Sequence, residues 1–265
     1  MQHPLRWHCH DLSAHVRPDD VVGHVAVIID VLRASTTMTT ALAHGAAGVR
    51  PMLTVEQARA AAGPGVLLGG ERGCVRIPGF DLGNSPLDYV PDVVAGRRVV
   101  ITTTNGTAAL ERCRAAREVL VGAMVNRSAV ACAVRVLAGR CGSRHVHLVC
   151  AGTDGAVSGD DVLTAGAILD AAAADPAAVG DELDAPARAA LESFRALCAR
   201  GGLVEEMIDE VFRHSPGGVN LVALGMAADL AAAAAIDSLT LVPRLDHATG
   251  WLHAFPAHQP ATEPA

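Results

Sequence analysis

The feature that most constrains the fold is a unit that recurs along the chain, in which a β-rich run, a polar junction and a helical pattern follow one another. In the first unit, residues 24–29 form a β-rich run that ends at Asp30, and residues 31–45 have the apolar spacing of a helix that stops at Gly45. Four more β-rich runs lead into polar loops or helices, at residues 65–70, 97–104, 117–122 and 145–152. This alternation predicts an α/β fold with α/β/α layers and a largely parallel or mixed sheet.

The C-terminal third has a different pattern and predicts a helical portion. Residues 185–201, 203–215 and 216–235 each suit a helix, and residues 238–245 suit a late strand. We expect residues 1–257 to form a single α/β domain, in which this portion covers the sheet or makes a second lobe. The proline-containing polar segment 258–265 is expected to be a disordered tail.

Charge and composition exclude several classes of protein. A net charge of -7 and a pI near 5.9 argue against a nucleic-acid or anionic-membrane surface. The chain has no lysine, so a small anion would be held by arginine, whose planar fork suits carboxylate, phosphate or sulfonate. Seven scattered cysteines without a CxxC pair, and no recognisable signal peptide, indicate a soluble cytoplasmic protein. The apolar helices suit a homo-oligomer and equally suit packing within one chain.

Polar residues cluster after several predicted strands, where ligands bind in open α/β sheets. Asp30 could bind a metal, act as a base or simply cap the next helix, and Arg33 could hold an anion. Asn105, Gly106 and Thr107 offer donors for phosphate, although Asn-Gly is also a common turn.

The acidic segment at residues 151–161 also has two interpretations. Ser158 and Asp161 fit a capping box, and Asp160 would favour the same helix start. Asp154, in the preceding loop, is the better candidate for binding a cation.

The segment from residue 71 to residue 84 is predicted to be a long ordered loop, and such loops are usually functional. Helix caps do not explain the polar residues along it, which are Glu71, Arg72, Asp81 and Asn84. Ser85 and Pro86, by contrast, suit the N-cap and first position of a helix.

Four segments, taken in order, closely resemble the 2-phosphosulfolactate phosphatase family. They are VIIDVLRASTT, GGERGCVRIPGFDLGNSP, TTTNGT and CAGTDGAVSGDD, which lie within residues 25–170, and LVALGMAADLAAAAAIDSLTLVP resembles the family's C-terminal part more loosely. The sequence departs from the family pattern at Asp154 and Asp160, where glutamate is expected, and at Cys74, where glycine is common.

The resemblance implies a Mg²⁺-dependent phosphatase that converts (2R)-2-phosphosulfolactate to sulfolactate and phosphate, a step towards coenzyme M. The implied catalytic carboxylates are Asp30, Glu71 and Asp81. The implied metal ligands are the same three residues and Asp154. The implied substrate-binding residues are Arg33, Arg72, Asn84, Asn105, Gly106 and Thr107. The nucleophile is either a metal-activated water, which we favour, or Asp30 itself.

Three other functions remain to be weighed. A phosphatase for another small 2-phospho acid would use the same residues. A non-catalytic protein that binds small phosphate or sulfonate anions would keep the arginines and loops without releasing phosphate. A nucleotide-binding oxidoreductase is disfavoured because no GxGxxG junction follows an early strand.

Overall fold

The computed structural model describes residues 3–256 and shows an α/β protein built on one mixed sheet. The strands are β1 Arg6–His10, β2 Val25–Ile29, β3 Gly48–Pro51, β4 Val66–Arg72, β5 Val75–Arg76, β6 Arg98–Thr102, β7 Glu118–Gly122, β8 His145–Cys150, β9 Glu182–Leu183, β10 Leu241–Asp246 and β11 Trp251–Pro256. The helices are α1 Ala34–Ala43, α2 Val55–Ala60, α3 Pro91–Val94, α4 Gly106–Arg112, α5 Arg127–Cys141, α6 Gly159–Ala173, α7 Ala185–Cys198, α8 Val204–His214, α9 Pro216–Ala223 and α10 Ala228–Ala234.

The sheet consists of two parallel blocks joined by an antiparallel hairpin. Its strand order is β5-β4-β6-β3-β11-β10-β7-β2-β8-β1-β9. Strands β4, β6 and β3 are parallel to one another, as are β7, β2, β8, β1 and β9. The hairpin β10–β11 pairs antiparallel with β7 on one side and with β3 on the other. The two blocks therefore run in opposite senses along the sheet.

Helices cover both faces of the central strands. Alternate residues of β2 point to opposite faces, as expected for a strand. Val27 packs in the apolar cluster that includes Val134 of α5 and Ile168 of α6. Ile28 packs in a second cluster with Met38 of α1. Because β2 is buried on both faces, the predicted α/β/α layering is confirmed.

The C-terminal helices cover the ends of the central strands. Ile208 of α8, Leu221 of α9 and Leu230 of α10 pack with Val31 and Met124, which follow β2 and β7. The helical C-terminal portion predicted from the sequence is therefore present, and it closes over the place where these strands end. The division into one domain or two lobes stays a prediction, and the tail 258–265 lies outside the described residues. Within residues 3–256, no helix is both long and apolar enough to cross a membrane.

Two local predictions need correction. The helix expected at residues 216–235 is two helices, because the chain turns at Gly225 with a φ of 75°, a conformation that glycine adopts readily. The loop expected from residue 71 begins as a small hairpin, in which Glu71 pairs with Arg76 and Arg72 with Val75. The pairing of two strands in a hairpin cannot be predicted from the spacing of apolar residues within one segment.

Twist explains how polar loops from the two blocks can meet. Five steps separate β6 from β2 in the strand order. Adjacent strands are rotated by roughly 20 to 25°, so five steps accumulate about 100 to 125°. Twist therefore reduces the angle between strands of opposite sense, and Gly106, after β6, lies against Asp30, after β2. The rule that ligands bind beyond parallel strand ends does not by itself predict this convergence.

Five histidines form a stacked array on β1, β8 and the start of β2. They are His8, His10, His24, His145 and His147. The rings of His147 and its neighbours are joined by hydrogen bonds of 3.0 Å, from Nδ1 to His10 and from Nε2 to His24. Burial and the neighbouring imidazoles lower the pKa of His147 to about 3. The imidazole of His147 is therefore held in its neutral form at neutral pH.

We expect His147→Gln to reduce the loss of stability in acid. Folding lowers the pKa of His147, so the unfolded chain binds more protons below about pH 6.5, and this residue's contribution to stability is lost towards about pH 3. Its slope is at most about 1.4 kcal/mol per pH unit. Urea midpoints at about pH 7.5 and about pH 5 should differ more in the wild type than in the variant. Equal differences would contradict this account of the array.

Candidate functional site

A cavity of about 410 Å³ gathers polar residues from loops of both sheet blocks. It is lined by Asp30, Leu32, Arg33, Glu71, Gly73, Cys74, Asn84, Thr103, Thr104, Asn105, Thr153, Asp154, Gly217, Asn220, Ala223 and Leu224. We call it the acidic cavity. Six residues predicted from the sequence are brought together here: Asp30, Arg33, Glu71, Asn84, Asn105 and Asp154.

Asp30 lies directly after β2 and is buried. Burial, together with the charges of Asp160 and Glu71, raises its pKa to about 7. Hydrogen bonds from the backbone N–H groups of Ala34 and Gly106 favour its charged form and partly offset this effect. The carboxyl group therefore gains or loses a proton near neutral pH, which suits a group that exchanges protons with a ligand.

Glu71 enters the same cavity from the end of β4. Its Oε1 accepts hydrogen bonds from the N–H and hydroxyl groups of Thr104, at 2.8 and 3.1 Å, and its Oε2 accepts one from the N–H of Cys74 at 2.8 Å. The preceding Gly70 is required here, because a Cβ at this position would collide with the carbonyl of Thr102 on β6. Close approach of β4 to β6 thus fixes the Glu71 carboxylate against the loop that follows β6.

Arg33 is also buried at the cavity, and its guanidinium is held by protein groups. Nη1 donates to Oδ2 of Asp229 at 2.6 Å and contacts Sδ of Met226 at 3.1 Å. Nη2 donates to the carbonyl of Cys74 at 3.0 Å. The position of Arg33 therefore depends on the hairpin after β4 and on α10, far away in the sequence.

Asn84 presents an unusual buried oxygen. Its Oδ1 has no hydrogen-bond partner among the described residues. Its backbone carbonyl accepts a hydrogen bond from the hydroxyl of Thr37, which fixes the residue against α1. A buried carbonyl oxygen without a partner is costly, so it points to a ligand that would supply a proton or a positive charge.

The contacts made by Asp160 and Asp161 differ most from those predicted from the sequence. The hydroxyl of Ser158 hydrogen-bonds to the carboxylate of Asp160 and does not cap α6. Asp161 accepts hydrogen bonds from the N–H groups of Val31 and Gly152, each at 2.9 Å. The predicted capping box is therefore wrong. Burial raises the pKa of both acids.

The sequence analysis did not predict that these two acids are buried, because a capping box at the start of the helix explained the same residues. A pair of acids in the first turn of an otherwise apolar helix is the sequence signal of the alternative. The structure shows that Asp161 ties the loop after β2 to the loop after β8, while Asp160 lies close enough to raise the pKa of Asp30.

Four predicted site residues do not line the acidic cavity: Gly106, and the three residues Asp81, Arg72 and Thr107. Asp81 is exposed, and its Oδ2 accepts the N–H of Leu68 at 2.8 Å. Arg72 is exposed and donates to the carbonyl of Glu71 and to the hydroxyl of Thr102. The hydroxyl of Thr107 donates to the carbonyl of Thr103 at 2.8 Å. All three have local structural partners instead.

Gly106 and Asp154 occupy special backbone positions. Gly106 lies against Asp30, and a Cβ built on it would be 2.7 Å from Oδ2 of that residue. Asp154 is exposed at the cavity rim with a φ of 52°, in the left-handed region that aspartate tolerates better than most residues. Ser85 accepts the N–H of Leu87 and so caps a short 3₁₀ helix, as its sequence context predicted.

These features define an α/β protein with an acidic cavity that contains the buried carboxylates of Asp30 and Glu71. The sequence model of the 2-phosphosulpholactate phosphatase family matches residues 11–248. The chain belongs to this family.

Relatives with the same name support this membership. A probable 2-phosphosulfolactate phosphatase of Deinococcus radiodurans is 43% identical over 238 residues, covering 88% of this chain and 92% of the relative. Proteins of that name from Thermotoga petrophila and Synechococcus sp. are 38% and 41% identical over 231 and 237 residues. These alignments cover 87% and 86% of this chain, and 93% and 92% of the relatives. The resemblance seen in the sequence is confirmed, and the family name is that of a phosphoric monoester hydrolase.

We expect Gly106→Ala to disturb the site, because the new methyl group would lie 2.7 Å from both Oδ2 of Asp30 and Cβ of Ala34. Overpacking of this kind costs about 1 to 3 kcal/mol of unfolding free energy. Urea denaturation would measure the loss. The matched control is Gly139→Ala in α5, where a Cβ meets nothing within 4 Å and stability should not fall. Equal stability of the two variants would contradict the close contact at Gly106.

Proposed function

We propose that this protein is a Mg²⁺-dependent phosphatase that hydrolyses (2R)-2-phosphosulfolactate to sulfolactate and phosphate, a step towards coenzyme M. The observation that carries the proposal is the placement of two buried carboxylates, Asp30 and Glu71, beside the buried Arg33 in one cavity. Membership of the family supports the reaction class, and relatives that match most of the chain bear the substrate's name. Location in the cytoplasm and association into oligomers stay predictions.

The charge of the cavity supports a requirement for a cation. Asp30, Glu71 and Asp154 line it, and the charge of Arg33 is already matched by Asp229. The proposed substrate carries phosphate, carboxylate and sulfonate groups. Such an anion would be repelled by the cavity unless a cation, or protons on the carboxylates, compensated the negative charge.

The donor atoms present fit magnesium. Among residues 3–256, no group of three acidic, histidine or cysteine side chains is arranged to hold a metal ion. Magnesium keeps several waters and needs only one or two protein carboxylates, so this does not conflict with the proposal. Asp30 and Glu71 would supply these, and the unpartnered Oδ1 of Asn84 is a further oxygen near them. When bound, the ion would neutralise phosphoryl charge and activate water.

The remaining groups of the cavity would bind and orient the substrate. Arg33 would hold one of its anionic groups, and the amides of Asn84 and Asn105 would donate to phosphate or sulfonate oxygens. Asp30, a buried carboxylate of the same cavity, would accept a proton from the attacking water. Asp30 as a direct nucleophile is the alternative, since it lies in the same cavity.

We expect Asp30→Asn and Glu71→Gln each to lower turnover at least about 1000-fold with the fold intact, because each removes a buried charge that the reaction requires. Phosphate release from 2-phosphosulfolactate measures this, and circular dichroism checks the fold. Asp92→Asn, at an exposed acid in α3, is the control and should retain activity. Near-normal turnover in either cavity variant would remove that residue from the proposed site.

Substrate and metal are tested together by phosphate release from 2-phosphosulfolactate beside 2-phospholactate and 2-phosphoglycerate. We expect the sulfonate substrate to be preferred, activity to disappear with EDTA and activity to return with Mg²⁺. Preference for another member of the panel would reassign the substrate. Turnover that persists in EDTA would exclude the proposed role of the metal, and no turnover on any substrate would favour an anion-binding protein.

A further inference from the structure

Asp229 of α10 is a deeply buried partner of the site that the sequence did not indicate. Its side chain is 4% exposed and that of Arg33 is 3% exposed, and the two are joined by an ion pair of 2.6 Å. It lies in an alanine-rich segment whose apolar character predicts only packing. Its presence means that α10 contributes directly to the environment of the cavity.

The second oxygen of Asp229 is held by a different element. The hydroxyl of Ser85 donates to Oδ1 at 2.6 Å, while Oδ2 accepts from Arg33. Ser85 itself is fixed because its Oγ also caps the following 3₁₀ helix. Both oxygens of Asp229 are therefore occupied, and the carboxylate cannot rotate without losing a charge-assisted hydrogen bond.

The hydrogen bonds of Arg33 to protein groups use only some of its N–H donors. Within residues 3–256, its hydrogen bonds involve Nη1 and Nη2 and not Nε. A guanidinium has five N–H donors in a rigid plane, and Nε and Nη2 form one edge that can bind a carboxylate, sulfonate or phosphate. The hydrogen bonds to Nη1 and Nη2 therefore fix the plane of the guanidinium, which lines the cavity, and with it the direction of the remaining N–H donors.

We propose that Asp229, held by Ser85, is a positioning residue that orients Arg33 to bind an anionic group of the substrate. This inference rests on the proposed function and deepens it. A purely stabilising ion pair would explain the burial equally well, but it would leave substrate affinity unchanged in a variant that still folds. A buried ion pair is in itself weak evidence for stability.

The test is Asp229→Asn, which keeps the shape and one acceptor but removes the charge. We expect KM for 2-phosphosulfolactate to rise about tenfold or more, which is about 1.4 kcal/mol of lost binding, with kcat changed less than about threefold. Ser85→Ala keeps the ion pair but frees the carboxylate and should raise KM by about threefold. Unchanged KM in a folded Asp229→Asn protein would overturn the proposal.

The chain provides a matched control in Asp237. This residue also joins an arginine to a serine, through Nε of Arg127 at 3.1 Å and the hydroxyl of Ser128 at 2.6 Å, and neither partner lines the acidic cavity. Asp237→Asn should therefore leave KM unchanged. A similar rise in KM in both variants would show a general structural effect and would overturn the positioning role.

A binding measurement tests the positioning role of Asp229 independently of phosphatase activity. Calorimetric titration with sulfolactate and Mg²⁺ should give an affinity about tenfold weaker in Asp229→Asn than in the wild type. Wild-type protein that bound sulfolactate without turnover would contradict the phosphatase function and still test the positioning. Equal sulfolactate affinity in the two proteins would overturn the positioning role, whether or not the wild type releases phosphate.

Discussion

The burial of carboxylates where the two blocks of the sheet meet is the constraint on which the rest of the site depends. Removing charged groups from water is costly unless partners compensate for the loss of solvation. Glu71 is compensated by N–H and hydroxyl donors, whereas Asp30 remains close to Asp160 and has a pKa raised to about 7. This concentration of acid explains why an anionic substrate would need a cation there.

The C-terminal helices are part of this arrangement and not only a cover. Leu230 buries one side of α10 in the apolar cluster over the strand ends, and Asp229, its neighbour in the chain, reaches Arg33. Asn220 of α9 lines the same cavity. Packing of these helices therefore places polar groups at the site.

Sequence patterns predicted the α/β class and the positions of Asp30, Arg33 and Glu71, because each follows a strand whose apolar run is clear. They did not predict the antiparallel hairpin β10–β11 or the accumulated twist, since both depend on which distant strands become neighbours. Asp229 was missed for the same reason: its partner is 196 residues away in the chain. Asp81, in contrast, has the right residue type in the right loop but faces the N–H of Leu68.

The central claim is that a divalent cation, by compensating the carboxylates of the acidic cavity, strongly increases its affinity for an anion. The most direct measurement is calorimetric titration of the protein with inorganic phosphate, in EDTA and in saturating Mg²⁺. The account predicts that Mg²⁺ tightens phosphate binding by at least about 100-fold, or about 2.7 kcal/mol. Equal phosphate affinity in the two conditions would contradict it.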